Sequence, residues 1–226
     1  MKILAVETST ELCSVALLSG DDLLVEEAMA ENRHSELLLP MIRRVLERAD
    51  ARAAGMDAFA FGQGPGSFTG IRIACGIVQG LAFGAGKPVV PIPSLLALAE
   101  QAGAARVLAA LDARMGEAYL AAYERHGEDW HCVIAPSLVD ASVLPPLPPG
   151  GWTGIGSGFD RHAWLREAYA GCVGERIEGE LPRAGAVARL AAVHAAQGRA
   201  LNAERAAPLY LRDKVALTTH ERQARL

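Results

Sequence analysis

The first thirty residues contain three short apolar runs separated by polar turns. Residues 3–8 are almost all apolar, as in a strand that is buried on both faces. Cys13–Leu18 and Leu23–Ala28 predict two further strands, and the turns between the runs are short. The pattern therefore predicts an antiparallel meander at the start of the chain.

Helical spacing begins after the meander. Apolar residues recur every three to four positions over 35–50, with Pro40 one turn in, where a local kink is expected. The other elements predicted for this half are a strand over 57–62, a helix over about 69–85, a strand over 87–93 and a helix over 94–103. This alternation of strands and helices indicates an α/β fold.

The segment VLAALDARMGEAYLAAYERHGEDW has the same form as the N-terminus. An apolar strand ends in an acidic residue, and a hairpin follows, so Glu7 and Asp112 take matching positions. The match indicates either a weak internal duplication or a chance likeness of two hairpins. It predicts two lobes, at 1–102 and 103–226, with the last residues packing back on the first lobe. The second lobe continues with a Pro-rich connection over 136–151, a strand and glycine turn over 152–160, helices over 161–170 and 184–198, and an extended tail over 207–217.

Composition narrows the class of protein. The 226 residues are 51% hydrophobic and carry a net charge of −4, which argues against a stand-alone RNA-binding module. None of the four cysteines forms a CxxC pair, so a reducing compartment is expected. The opening MKILAVETST indicates a strand rather than a signal peptide, and the apolar run 73–86 is too short to span a bilayer. A cytoplasmic location is expected.

The segment GQGPGSFTGIRIACG, Gly62–Gly76, fails both familiar phosphate-loop patterns. Gly86 and Lys87 precede a proline, and the third glycine of a dinucleotide fingerprint is missing. Two interpretations remain: a generic anion site at the start of the helix, or a tight turn with Ser67 or Thr69 as helix cap.

Three glycines, Gly76, Gly80 and Gly84, recur every four residues along the predicted helix. Such a glycine stripe lets another backbone approach closely. Spacing alone favours packing of the helix on its own sheet, with docking of a partner chain as the alternative.

Five segments resemble the TsaB (YeaZ) family. These are ILAVETSTELCSVALL, RHSELLLPMI, GQGPGSFTGIRIACGIVQGLA, LDARMGEAYLA and PLYLRDKVA, spread over residues 3–216. The resemblance implies a two-lobed actin-like/hexokinase-like ATPase (ASKHA) fold, each lobe a mixed sheet with helices. It also implies a non-catalytic subunit, a paralogue of TsaD, in tRNA threonylcarbamoyladenosine biosynthesis.

The resemblance further implies partners. The chain is expected to pair with a TsaD-like catalytic paralogue, to act with a TsaE-like ATPase, and to form a homodimer in isolation. It would meet tRNA only through the complex, and no membrane. The docking surface is expected on helices 35–50 and 69–85. The candidate contacts are Leu38, Met41, Ile42, Arg72, Gly76, Gln79, Gly80 and Phe83.

No cofactor is expected to be required, and weak ATP or ADP binding in the cleft is left open. The candidate cleft residues are Glu7, Thr8, Ser9, Thr10, Gly66, Ser67 and Asp112. Members of this fold usually end the first strand with Asp, and Glu7 is one methylene longer, which makes nucleotide turnover less expected.

Catalytic patterns are missing from the sequence. No two of the six histidines are three or four residues apart, so no helical metal-ligand pair is expected. The glycine turn GIGSG places Ser157 fourth rather than third, unlike a hydrolase elbow, and no protease activity is expected. The alternative function is a small ATPase or kinase on the same fold.

Overall fold

The computed structural model describes residues 1–212, which form two mixed five-stranded sheets with helices. The first half contains β1 (Lys2–Glu7), β2 (Leu12–Ser19), β3 (Asp22–Met29), α1 (His34–Arg48), β4 (Ala58–Gly64), α2 (Phe68–Ala85), β5 (Val89–Pro93) and α3 (Ser94–Gln101). The second half contains β6 (Arg106–Arg114), β7 (Glu117–His126), β8 (Asp129–Val139), β9 (Trp152–Ile155), α4 (Ser157–Arg161), α5 (Ala163–Ala168), β10 (Val173–Ile177) and α6 (Ala184–Ala196). The two-sheet α/β fold inferred from the sequence is confirmed.

The second sheet repeats the strand order of the first. The first sheet is β3-β2-β1-β4-β5, and the second, read from its other edge, is β8-β7-β6-β9-β10. In the first sheet, the central strand β1 pairs antiparallel with β2 and parallel with β4. In the second sheet, the central strand β6 pairs antiparallel with β7 and parallel with β9. The shared topology favours duplication over a chance likeness of two hairpins.

Strand β1 shows why its sequence is apolar throughout. Ile3 and Ala5 belong to the core between the two sheets, whereas Leu4 and Val6 belong to the core beneath α1 and α2. Successive side chains of a strand point to opposite faces, so a central strand covered on both sides has no polar face.

The helices form layers around the two sheets. Helices α1 and α2 lie side by side on the outer face of the first sheet, and α4 covers β6 of the second. Between the sheets, α6 packs on β1 and β2, while α3 packs on β6 and β7. A boundary near residue 102 divides the strands of one sheet from those of the other. The two halves still pack together, because α6 of the second half covers the first sheet.

Several elements differ from the sequence-based prediction. Helix α1 continues through Pro40, which is exposed. The helix predicted at 161–170 is the shorter α5, and α4 lies in the segment 152–160 that was predicted as a strand and glycine turn. Strand β10, at the edge of the second sheet, was not predicted, because three of its five residues are exposed and its pattern resembles that of a loop.

Helix α2 is longer than the apolar run recognised in the sequence. Its 18 residues have a mean hydropathy of 1.4, which by length and composition alone is enough to cross a membrane, and 33% of them are buried in the protein. The apolar run 73–86 covers only part of this helix, so the expectation that the chain meets no membrane stays a prediction. Its buried face packs on β4 and β1, as a layer of an α/β fold does.

Candidate functional site: the glycine loop and the outer face of α2

Three glycines of the loop allow chain segments to touch. A Cβ on Gly62 would lie 1.8 Å from the Glu7 carboxylate. A Cβ on Gly66 would lie 2.3 Å from the carbonyl oxygen of Ser9, and one on Gly70 would lie 2.0 Å from that of Thr8. Gly66 and Gly70 therefore leave no room for a side chain against the backbone of the β1–β2 turn, and Gly62 leaves none while the Glu7 carboxyl keeps its buried position.

Hydrogen bonds stabilise the contact between the β1–β2 turn and the glycine loop. The Ser67 N–H donates to the Ser9 carbonyl at 2.7 Å, and the Thr8 hydroxyl donates to the Gly70 carbonyl at 2.8 Å. Ser67 is the N-cap of α2, since its hydroxyl accepts from the Gly70 N–H at 3.3 Å. The tight turn with a helix cap is therefore the interpretation that the geometry supports.

The Glu7 carboxyl is fully buried within this arrangement. Its Oε1 accepts from the Ser9 N–H at 2.6 Å, and its Oε2 lies 2.9 Å from the Ser94 hydroxyl oxygen. Burial raises the pKa of the Glu7 carboxyl above its ordinary value, while the hydrogen bonds from Ser9 and Ser94 act in the opposite direction. The balance of these effects makes the Glu7 carboxyl harder to ionise than a carboxyl in water.

Most of the candidate cleft residues do not line an open cleft. Glu7, Thr8 and Ser9 are at most 2% exposed, so the assignment of these three to a nucleotide site is wrong; they form the underside of the loop. Thr10 and Gly66 are half-buried and Ser67 is exposed.

All the polar contacts of the Asp112 carboxylate in the described residues are with residues of the second half. It accepts hydrogen bonds from the Arg114 N–H at 3.0 Å and, at the same distance, contacts His162 Nε2. Its second oxygen lies 3.7 Å from Arg161 Nε. Asp112 therefore supports the β6–β7 hairpin and α4, and it makes no hydrogen bond to the glycine loop in the described part of the chain.

A cavity of about 50 Å³ lies beside the loop, where the two halves meet. Its lining comes from the loop and α2 (Pro65, Gly66, Phe68, Ile71), from Tyr119 and from residues 209–212. Ligand pockets usually measure about 300–1,000 Å³, so this cavity is too small for a nucleotide. Within residues 1–212, no group of three His, Cys, Asp or Glu side chains could hold a metal ion.

The outer face of α2 is open. Around Gly76, Gly80 and Gly84, nothing lies within 4 Å of an added Cβ in the described residues. Phe83 on the same helix is 77% exposed, and Arg72 is exposed. The glycine stripe thus faces outward, and the packing of these three glycines on the sheet, which spacing alone favoured, is not what the structure has.

The candidate contacts on α1 are wrong. Leu38 and Met41 are 0% exposed and Ile42 is 3% exposed, because all three point into the core between α1 and the first sheet. The exposed positions of this helix include Leu39, at 51%, and Pro40. Periodicity identified the apolar face, but that face belongs to the sheet.

Gln79 on α2 is also engaged within the chain. Its Nε2 donates to the carbonyl oxygens of Ala203 at 3.2 Å and Ala206 at 2.9 Å. These acceptors lie more than 120 residues away in sequence, so spacing gave no signal for them. Gln79 holds the C-terminal segment rather than presenting a free amide to a partner.

Comparisons with known proteins decide the family. A family model described as tRNA N6-adenosine threonylcarbamoyltransferase, TsaD, matches residues 27–151. The chain is 38% identical to the tRNA threonylcarbamoyladenosine biosynthesis protein TsaB of Escherichia coli (strain K12), over 96% of each protein. It is 36% identical to the protein of the same name from Haemophilus influenzae, over 95% of each. The chain belongs to the TsaB family.

The solved structures agree with this assignment. YeaZ from Pseudomonas aeruginosa superposes with a TM-score of 0.83 at 37% identity, covering 93% of this chain and 99% of that one. The resemblance read from GPGSFTGIR and the other family segments is thereby confirmed. The TsaD model runs from the end of β3 to the connection after β8, and so includes both helices on the outer face of the first sheet.

Proposed function

We propose that this chain is a non-catalytic accessory subunit of tRNA threonylcarbamoyladenosine biosynthesis. In this proposal it pairs with a TsaD-type paralogue and acts with a TsaE-type ATPase. The complex transfers a threonylcarbamoyl group from threonylcarbamoyl-adenylate to N6 of the adenosine beside the tRNA anticodon. In isolation the chain forms a homodimer, and it meets tRNA only through the complex.

The open glycine stripe of α2 is the observation that carries this proposal. An apolar helix of 18 residues with only a third of them buried leaves apolar surface in water. Exposed apolar surface of this kind marks protein interaction sites, and bare glycines let a partner helix come close. The partner that fits is a chain with the same fold, because the TsaD model matches the region that contains α1 and α2.

The interior of the glycine loop supports a non-catalytic role. A metal ion at this loop would need an accessible carboxylate, and a phosphate would need free backbone N–H groups. Here the Glu7 carboxyl is buried and hydrogen-bonded by its own turn, and the Ser67 N–H is bound to Ser9. These contacts argue against turnover of ATP by this chain and for chemistry in the paralogue.

A reducing compartment fits the cysteines. Cys13 and Cys75 are buried thiols, and Cys132 and Cys172 are also free. Unpaired thiols are usual in cytosolic proteins. The proposed location is the cytoplasm.

Gly80→Leu tests the pairing. The substitution puts a bulky side chain on the stripe while removing a glycine from a helix, so the fold should be kept. Co-purification with the TsaD-type paralogue, followed by light scattering, should show a complex with the unchanged chain and a Kd at least tenfold weaker for the variant. Gly171→Leu, in a turn of the second half with equally open surroundings, is the matched control. An intact complex with folded Gly80→Leu would remove the stripe from the interface.

The alternative, a small ATPase or kinase, has its own test. Titration calorimetry with ATP and magnesium, followed by a turnover assay on the isolated chain, should give at most weak binding and no turnover. Rapid hydrolysis of ATP by the purified chain would overturn the proposed role.

A further inference from the structure

The segment that follows α6, residues 201–212, crosses the molecule; we term it the strap. It begins at the edge of the first sheet, where Leu201 and Val89 exchange two backbone hydrogen bonds of 2.8 Å each. A short 3-10 helix, Ala203–Arg205, then packs against α2. Further along, the Leu209 N–H donates to the Gln63 carbonyl at 2.7 Å, directly before the glycine loop.

The strap ends on the second half. Arg212 pairs with the carboxylate of Glu117 and donates to the carbonyl oxygen of Ala113 at 3.0 Å. The same guanidinium lies 3.3 Å from the Met115 sulfur. The strap therefore joins α2, on the outside of the first sheet, to the β6–β7 hairpin of the second.

An aromatic and arginine cluster lies where the strap meets the start of α2. The Arg72 guanidinium is 3.6 Å from the centroid of the Phe68 ring and 5.4 Å from that of Tyr210. Arg72 Nε also donates to the Tyr210 hydroxyl at 2.6 Å, and the two rings are 5.8 Å apart. Phe68 is 38% exposed and Tyr210 is 47% exposed.

This cluster forms within the single chain, without any contribution from a partner. A free arginine side chain loses much rotamer freedom on binding, whereas here two rings and a hydroxyl hold Arg72 in one geometry. Tyr and Arg are enriched among the residues that dominate binding energy at interfaces. Within the described residues Arg72 makes its side-chain hydrogen bond through Nε, so its two terminal nitrogens make no hydrogen bond there and remain available to an acceptor on a partner.

We propose that the strap is part of the partner surface, and that the Phe68–Arg72–Tyr210 cluster anchors a carboxylate-bearing segment of the TsaD-type paralogue. This inference rests on the proposed pairing through α2. The cluster lies on the first turns of the helix that carries the glycine stripe, so one partner surface can cover both. A guanidinium held flat on a ring suits a carboxylate, which it binds through two parallel hydrogen bonds.

The geometry also assigns the strap a positioning role. Gln79 and Arg72 on α2 are both held by strap atoms, so the strap sets which groups of α2 face outward. Without the strap, Arg72 would lose the Tyr210 contacts and the surface would have to be ordered on binding. The strap therefore contributes through Tyr210 itself and through the side chains that it orients.

The test uses the full-length chain and the purified TsaD-type paralogue in titration calorimetry. Tyr210→Ala removes both the ring and the hydroxyl, and we expect its Kd to rise at least tenfold. Tyr210→Phe keeps the ring and loses the acceptor of Arg72, and a smaller rise, about threefold, is expected. Val143→Ala, at a position 69% exposed on the β8–β9 connection, is the control and should leave the Kd unchanged.

Arg72→Met supplies the second readout. Its flexible side chain can still cover the Phe68 ring, but it carries no charge. If the guanidinium meets a carboxylate, the unchanged chain should lose affinity as salt rises, and the variant should show a flatter dependence. Circular dichroism of each variant verifies the fold.

The outcomes separate the two proposals. No complex with the unchanged chain would overturn both the pairing and the role of the strap. A complex with the unchanged chain, together with a Tyr210→Ala Kd within twofold of it and an unaltered salt dependence for Arg72→Met, would overturn the strap alone. A tenfold loss with the control unaffected would support it.

Discussion

Glu7→Gln should make the protein more stable at neutral pH and should remove part of its pH dependence. The Glu7 carboxyl is 0% exposed, and burial raises its pKa above the ordinary value of 4.5. Its Oε1 accepts from the Ser9 N–H, and its Oε2 accepts from the Ser94 hydroxyl or, once protonated, donates to it. A glutamine amide has the same shape and offers the same acceptor and donor.

Proton linkage determines whether Glu7 makes the protein more or less stable as the pH rises. Between pH 4.5 and the raised pKa, the folded state keeps the Glu7 proton and the unfolded state releases it. The contribution of Glu7 to stability is thus fully present below pH 4.5 and is lost as pH rises towards the folded pKa. For one proton the free energy of unfolding falls by about 1.4 kcal/mol per pH unit in this window. Glutamine does not titrate, so the variant lacks this slope.

The assay is urea unfolding of the unchanged chain and of Glu7→Gln at several pH values from 5 to 8. The difference in unfolding free energy should grow in favour of the variant by up to about 1.4 kcal/mol per pH unit. Glu36→Gln, on the exposed surface of α1, controls for the loss of a formal charge. A constant difference between Glu7→Gln and the unchanged chain across this range would refute the reasoning.

Three further predictions concern the helices and the loop. Leu38→Ala should lower the free energy of unfolding by about 2–5 kcal/mol, because it leaves a cavity at a buried site. Leu39→Ala, on the exposed face of α1, should change it by less than about 0.5 kcal/mol. Equal losses for the two variants in urea unfolding would contradict the orientation of α1. Gly70→Ala should destabilise the protein by about 1–3 kcal/mol, since the added Cβ would clash with the Thr8 carbonyl oxygen. A melting temperature equal to or above that of the unchanged chain would contradict this close approach. Gly76→Ala, with open space around it, should instead stabilise α2 by up to about 1 kcal/mol, and a loss of stability in the same melt would show that the position is not open.

The strands and helices of the first half could be predicted from the sequence because their hydrophobic patterns are local. Strand β1 is apolar at every inner position, and α1 repeats its apolar residues at helical spacing, so the period of each determines its class. The family segments, above all GPGSFTGIR, then indicated the fold that the YeaZ structure confirms. Strand β10 was missed because an exposed edge strand lacks such a period.

The candidate site was predicted less well than the fold. Periodicity correctly placed Leu38, Met41 and Ile42 on one face of α1, but it does not say whether that face meets a sheet or a partner. The glycines of α2 show the opposite case, since spacing alone favoured packing on the sheet and the structure leaves them open. Both questions depend on which other elements lie nearby, and that information is not local.

The sequence by itself determined most strands and helices (all but β10 and α4 of the second half), the repeat of the meander and the family, because these depend on periodicity and on motifs within short stretches. Only the tertiary structure decided what the glycine loop does, which face of α2 is open and where the strap lies. The Gly66 and Ser9 backbones, the Glu7 and Ser94 side chains, and the Arg72 and Tyr210 pair come from distant parts of the chain. Their contacts exist because folding brings these segments together, and no spacing along the sequence encodes a distance across the core.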